Sequence, residues 1–238
     1  MFNYKKIIQK IKFNPPWWGV INPFYFARKN LYKHIKYYAP QLGGNLLDIG
    51  CGSKPYENLF LNSKKYVGLE LENQKSEGSV ADYFYDGKKI PFDNETYESI
   101  FCTQVLEHVF EPDNFLYEIS RVLKKDGLMI ITLPFIWDEH EQPFDYARYT
   151  SFGLKYILEK NNFKVVKQVK ICNNFSAIIQ IINCYFYKKL CFKKFFLLKF
   201  IGIIIISILN ILGILLSFLP RNNDLYLDNF ILAKKNDE

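Results

Sequence analysis

Short apolar runs of strand length alternate along this chain with longer segments whose apolar residues recur every three or four positions. The stretch at 45–56, NLLDIGCGSKPY, is the first of the short runs: apolar residues ending in an acid, then Gly50-Cys51-Gly52 and Pro55. It predicts a buried strand breaking sharply into a helix. Residues 57–61 predict a short helix, and 66–72 (YVGLELE), 83–86 and 99–103 (SIFCT) predict three more strands. Glu111-Pro112 opens a helix with Phe115, Leu116, Ile119, Val122 and Leu123 on one face, ending in Lys-Lys-Asp-Gly, and residues 128–133 form a fifth strand. Thr150 can cap a helix running to Asn161 with Leu154, Ile157 and Leu158 facing inward, and 163–171 is a sixth strand. Strand and helix alternating at these intervals imply parallel pairing with right-handed crossovers, and so a doubly wound α/β sheet with ligands at the strand C-termini.

Two flanks depart from this rhythm. Residues 2–13 place Tyr4, Ile7, Ile8 and Ile11 at helical spacing among lysines, with Pro15, Pro16, Trp17 and Trp18 after them, and 24–38 reads as a second helix stopped before Pro40. The periodicity of 2–13 fits a helix lying on a bilayer and equally one packed on the protein's own core. Late in the chain, residues 175–187 are apolar and aromatic, lysines follow at 188, 189, 193, 194 and 199, and 200–219 carry no charge. That last run is long enough to span a bilayer. A single crossing would leave the strands before and after it on opposite sides, and a hairpin would carry lysines through the membrane. Helices lying in or dipping into the inner leaflet are therefore the expectation.

Charge sharpens this picture. The net charge of +7 divides into +8 over residues 1–47, −8 over 48–162, +9 over 163–221 and −2 in the tail. Both basic flanks are rich in Ile, Leu, Phe, Tyr and Trp, which points to an anionic membrane surface, whereas the acidic middle would repel nucleic-acid phosphates. Five cysteines show no metal-ligand or disulfide spacing, so a reducing, cytoplasmic compartment is expected, with the protein held peripherally at the membrane. Lysines at 5, 6, 10 and 12 interrupt any signal-peptide core.

Candidate chemistry lies at the predicted strand ends. Gly50 and Gly52 allow a tight turn and close ligand approach, and Asp48 can accept hydrogen bonds from a cationic or polar group. An acid about twenty residues beyond such glycines is where a ribose diol is held in this fold type; Glu70 is the first choice and Glu72 the second. His108 follows the fourth strand, and the loop after the fifth reads DEHEQPFDYARYT from Asp138. His140 is the candidate base there, Arg148 a candidate clamp for a phosphate or carboxylate, and Asp145 and Tyr149 possible orienters. Each has a structural alternative, in which His140 and Arg148 pin the loop and His108 bonds to backbone. No metal site is expected at 138–141, because consecutive side chains cannot all point one way.

The set LLDIGCG, VGLELE, DGKKIPFDNETYESI, VLEHV and RVLKKDGLMIITLP, spanning residues 45–172, resembles class I S-adenosylmethionine-dependent methyltransferases, in particular the type 11 subgroup. Pro55 stands where a dinucleotide-binding Rossmann fold would place its third glycine, which disfavours that relative. The resemblance implies a seven-stranded Rossmann-like sheet with helices on both faces, six strands parallel and the last, at 225–233, antiparallel. It divides the chain into an N-terminal basic helical segment (1–40), a cofactor-binding core (41–173), a hydrophobic helical insertion (174–220) between strands six and seven, and the last strand with its tail (221–238). It also implies that Asp48, Gly50 and Gly52 surround the amino-acid part of S-adenosylmethionine, with Cys51 filling the turn. Glu70 would bind the ribose hydroxyls, Asp86 the adenine amino group with Gly87 beside it, and Thr103 and Gln104 would lie near the methionine end. The family more often has Asp where this chain has Glu70.

The expected function is methyl transfer at the cytoplasmic membrane face to a small-molecule or lipid-linked acceptor. A sugar hydroxyl of a lipid-linked or surface-polysaccharide precursor leads, a quinone precursor or phospholipid is the enzymatic alternative, and a membrane-docked scaffold without turnover is the alternative of another class.

Overall fold

The computed structural model describes residues 19–74, 79–191 and 195–236. The predicted amphipathic segment at 2–13, Trp17, Trp18, Lys193 and Lys194 lie outside the described residues. The chain divides into two units: a sheet unit comprising His34–Phe135, Glu139–Val169 and Asn229–Glu238, and a helical unit comprising Met1–Lys33, Ile136–Asp138 and Lys170–Asp228.

In the sheet unit, β1 (Gly44–Ile49), β2 (Ser63–Leu71), β3 (Tyr83–Tyr85), β4 (Tyr97–Thr103), β5 (Leu123–Pro134), β6 (Phe163–Ile171) and β7 (Asp228–Lys235) form one seven-stranded sheet in the order β3-β2-β1-β4-β5-β7-β6. β1 pairs parallel with β2 and β4, β2 with β3, and β4 with β5. β7 runs the other way, since the Asn236 amide just past its end donates to the Asn162 carbonyl just before β6 at 3.0 Å. The central strands are covered on both faces: Leu46, Leu47, Ile49, Ile100, Phe101, Cys102, Ile130 and Ile131 are all inaccessible to solvent. This is what near-continuous apolar runs in parallel strands require. Each such side chain contributes roughly 1.5–3 kcal/mol by burial.

The helices keep the faces their periodicity predicts. α1 (Tyr25–Tyr38) sends Tyr38 against Phe230, α2 (Pro112–Val122) buries Phe115, Leu116, Ile119 and Val122, and α3 (Ser151–Lys160) buries Leu154 and Leu158. Thr150 caps α3, its hydroxyl accepting from the Gly153 amide at 3.1 Å. Arg121 on α2 donates to Glu118, to the Ile90 carbonyl and to the Phe92 carbonyl, and so fixes the loop that follows β3.

Several expectations are corrected. No α-helix follows the glycine turn: Pro55 lies in a turn and 57–61 yields only the 3₁₀ turn Glu57–Leu59, so the backbone groups around the glycines belong to a loop. Lys124, Lys125, Asp126 and Gly127 do not end the α2 helix but belong to β5, where Asp126 adopts φ 60°. The last strand starts at Asp228 rather than at residue 225.

The helical unit contains the insertion as an antiparallel pair, α4 (Ser176–Phe186) and α5 (Phe196–Leu215). Their direction follows from Ser176 Oγ donating to the Gly213 carbonyl at 3.2 Å near one end and Gly202 lying against Cys191 near the other. Gln180 on α4 caps α1 from a distance: its Oε1 accepts from the Phe26 and Ala27 amides at 3.1 and 3.2 Å. These are first-turn donors that no helical carbonyl reaches. Asn210, in the C-terminal half of α5, donates to the Val20 and Asn22 carbonyls at 2.8 and 2.9 Å and accepts from Asn183 at 2.8 Å. Gly202, Ile206, Asn210 and Gly213 are the buried stripe of α5, while Ile201, Ile204, Ile208, Ile211 and Leu215 are exposed.

Candidate active site

The glycine turn after β1 is built by exclusion and by register. Gly50 has φ +69°, and a Cβ there would meet Val105 Cγ2 at 2.4 Å, so only glycine fits. Gly52 has φ +52° and open space where its Cβ would be, which leaves the backbone approachable. The Gly50 and Cys51 amides both donate to the Leu69 carbonyl, stitching the turn to β2. Cys51 is buried beside Gly68, and burial pushes its thiol up to about 12; it is a neutral filler of the turn.

Parallel register then delivers the acids. Asp48 is paired with Gly68 and is almost wholly buried, its Oδ2 accepting from Tyr66 Oη at 2.5 Å. Its Oδ1 is buried with no hydrogen-bond partner among the described residues. Burial raises the Asp48 carboxyl to about 8, and the neighbouring Glu70 charge adds to this against the Tyr66 bond. Glu70 sits one strand over, its Oε2 accepting from the Gly52 amide at 2.9 Å and its Oε1 from Leu71 at 3.0 Å. The structure thus brings Asp48, the glycine turn and Glu70 together. Asp86 follows β3 as an exposed residue whose Oδ1 accepts from its own turn, the Lys88 and Lys89 amides at 2.8 and 3.3 Å, and these bonds lower its pKa. Gly87 beside it has φ +85°. Glu72 lies in the 3₁₀ turn after β2.

At the next strand end Thr103 Oγ1 is 2.6 Å from Thr132 Oγ1 on β5, and Gln104, at φ 56°, donates to the same hydroxyl at 3.3 Å. Beyond it the 3₁₀ turn Leu106–His108 holds a fully buried Glu107 and a half-buried His108. His108 Nδ1 lies 2.8 Å from the Phe144 carbonyl, and the His108 ring meets the His140 ring edge-on at 4.8 Å. His140 Nδ1 is 3.2 Å from Asp145 Oδ2, which also accepts from the His140 amide at 3.0 Å. Arg148 grips Asp145 with both fork nitrogens at 2.6 Å and the Ala147 carbonyl at 2.8 Å. That bidentate pair, with the His140 amide, outweighs the burial of Asp145 and holds its carboxyl down to about 2. Arg148 thus pins the loop, as in the structural alternative to the anion clamp. The Tyr149 carbonyl accepts from Asn229 Nδ2 at 2.8 Å.

Tyr66, Val105, Thr132 and Glu107 escaped the sequence reading. The register of β1 against β2 places Tyr66 one pleat from Asp48, but nothing in the spacing YVGLELE marks it. Glu107 stood in plain view within VLEHV, and an acid followed by an aromatic base after a buried strand is the signal that was available.

The sheet order, the reversed last strand and the converging strand ends are those of a class I S-adenosylmethionine-dependent methyltransferase. The chain belongs to the methyltransferase-domain family, whose profile matches residues 24–168. Among curated proteins it is similar to the ubiquinone biosynthesis O-methyltransferases of Pelagibacter ubique, 28% identical over 54% of this chain and 64% of that one, and of Rhizobium rhizogenes, 28% identical over 50% and 52%. The chain thus spans between half and two thirds of those relatives' length. Among solved structures it shares the fold of the cyclase SpnF at TM-score 0.59 and 17% identity, covering 88% of this chain and 82% of that one. It likewise shares the fold of Haemonchus contortus phosphoethanolamine N-methyltransferase 2 bound to S-adenosylmethionine, at TM-score 0.57 and 16% identity, over 97% and 57%. The buried, unpartnered Asp48 Oδ1 and the open space above Gly52 fit that cofactor.

Proposed function

We propose that the chain O-methylates a phenolic hydroxyl on a hydrophobic acceptor, of the quinone-precursor class, at the cytoplasmic face of a membrane. S-adenosylmethionine supplies an already activated methyl group, so the chain's residues have to bind, orient and receive a proton. Asp48 offers its Oδ1 to the cofactor's ammonium while Tyr66 holds the other oxygen. Gly50 and Gly52 admit the ligand to the backbone, with Cys51 as packing beneath, and Glu70 turns from the Gly52 amide to the ribose hydroxyls. Asp86 and Gly87 border the adenine, although Asp86 already serves its own turn. Thr103 and Gln104 lie toward the methionine end.

The observation that carries the acceptor assignment is the meeting of His108 and His140 beside buried Glu107, at the C-terminal ends of neighbouring strands β4 and β5. A phenol releases its proton near pH ~10, within reach of an imidazole, whereas an alcohol holds it several units more tightly. The names of the curated relatives support a phenol. With both fork nitrogens of Arg148 on Asp145, less speaks for a phosphate-linked sugar. The membrane assignment is supported by the apolar exposed face of α5 and the basic, aromatic flanks.

The test supplies labelled S-adenosylmethionine and two micellar acceptors, a polyprenylated catechol and a polyprenyl-phosphate-linked sugar. Label on the catechol is the expected outcome. Label on the sugar alone overturns the acceptor class, and label on neither, with the cofactor bound, identifies a scaffold without turnover.

A further inference from the structure

Glu107, His108 and His140 place three ligand-type atoms within 4.8 Å of one another. They come from two loops, one after β4 and one after β5, and not from the run 138–141 whose consecutive side chains diverge. The far nitrogen of each imidazole already has an acceptor. The Phe144 carbonyl, 2.8 Å from His108 Nδ1, can only accept, so that nitrogen carries a proton, and in the neutral ring the lone pair is then on Nε2. The Asp145 carboxylate, gripped by Arg148, lies 3.2 Å from His140 Nδ1, nearer than the Arg148 Nη2 at 3.5 Å, and sets the same tautomer there. A histidine whose Nδ1–H is held by a carbonyl or a carboxylate is the arrangement that metal sites use to aim Nε2 at the ion. Glu107 Oε1 is 3.8 Å from His108 Nε2, and Glu141 Oε2 stands 3.9 Å from the same atom on the exposed side. Two imidazole nitrogens and a buried carboxylate facing one space form a donor set that a cation can occupy.

We propose that Glu107, His108 and His140 bind a divalent transition metal ion through two Nε2 atoms and one carboxylate, leaving open positions for the oxygens of the methyl acceptor. Nitrogen-rich ligation with one carboxylate suits zinc, iron, cobalt or manganese better than magnesium. Asp145 and the Phe144 carbonyl are positioning groups, and Glu141 borders the entrance. The inference rests on the acceptor reading in one respect: a catechol has two adjacent oxygens to fill the open positions. The ion would lower the hydroxyl's proton affinity, the part otherwise given to an imidazole base. The balance of the reaction is unchanged. The oxygen forms its bond to the methyl carbon as the sulfur–methyl bond breaks, sulfur keeps that electron pair, and the hydroxyl proton leaves to water.

The full-length protein, stripped with a chelator and dialysed, is titrated with cobalt(II) and followed by its visible absorption. One equivalent per chain with a nitrogen-ligated spectrum is expected. His140→Ala and Glu107→Gln are expected to weaken binding about tenfold or more, and Asp145→Asn about tenfold through the seating and tautomer of His140 in its loop, with cofactor affinity retained in each. His140 lies in a loop, so its variant separates metal loss from unfolding. Absence of cobalt(II) and zinc(II) binding by the stripped protein overturns the proposal, as does unchanged affinity in the His108→Ala/His140→Ala double variant. Full methylation of the catechol by metal-free protein overturns it too, while leaving the acceptor class standing. Metal binding at these residues without catechol methylation supports the site and overturns the acceptor class.

Discussion

At the scale of single residues, Asp48 carries the largest consequence. Its folded-state pKa of about 8 lies well above the usual carboxylate range, so between those values folded protein holds a proton here that unfolded chain has released. Stability contributed by this group is fully present below about pH 4 and is lost as the pH rises toward 8. An ammonium brought to Oδ1 favours the ionised form. Binding of S-adenosylmethionine near pH 7 is therefore expected to release a proton from Asp48, seen in calorimetry as a binding heat that changes with the ionisation enthalpy of the buffer. Asp48→Asn is expected to weaken binding and to abolish that buffer dependence; an unchanged buffer dependence would remove Asp48 from the pocket. The acid itself was legible in the sequence, because an apolar run ending in Asp before two glycines is a local pattern. Its protonation was not, because Tyr66 and the depth of burial come from the neighbouring strand.

At the scale of elements, the loop 139–150 is organised by one carboxylate. Asp145 bonds the His140 amide and both fork nitrogens of Arg148, and its carboxyl is held down to about 2. A depressed carboxylate contributes stability above its unfolded value near pH ~4 and loses it as the pH falls toward 2. Asp145→Asn is expected to make the loop open at neutral pH, raising hydrogen exchange at the His140 amide, while wild type reaches the same exchange only in acid. Equal protection in the two proteins at neutral pH would assign the loop's order to other contacts. The residue types of this loop were readable as a cluster, but their pairing was not: Arg148 reads as a free cation in one dimension and is an internal strut in three. Similarly, Pro55 reads as a helix opener, yet Lys54 before it stands at φ 52° and Pro55 lies in a turn that leads only to the 3₁₀ turn Glu57–Leu59.

At the scale of the whole molecule, the charge pattern and the insertion belong together. α5 and the turn after it have the length and composition of a membrane span from Leu197 to Phe218, yet the second half of α5 is tied by Asn210 to Val20, Asn22 and Asn183. An asparagine bonded to protein along one face, with isoleucines exposed on the other, suits a helix lying in the interface plane. Deleting the insertion would remove the Gln180 cap of α1, so surface substitution is the cleaner probe. Wild type is expected to float with anionic vesicles and less so in high salt, and Ile204→Asn/Ile208→Asn/Ile211→Asn to stay in the soluble fraction. Equal flotation of both would move the membrane contact elsewhere in the chain.

The sequence by itself determined the alternation of strands and helices over the first six strands and the glycine turn, because hydrophobic period and the freedom of glycine act between near neighbours, while the seven-stranded class came with the resemblance to the methyltransferase family. Only the tertiary structure decided that Tyr66 holds Asp48, that His108 faces His140, that Arg148 is spent on Asp145 and that Asn210 ties α5 to the residues before α1. Those pairs depend on strand register and on which loops share a sheet edge. Both are settled by packing the entire core, since no stretch of the chain carries its distant partner's position within itself.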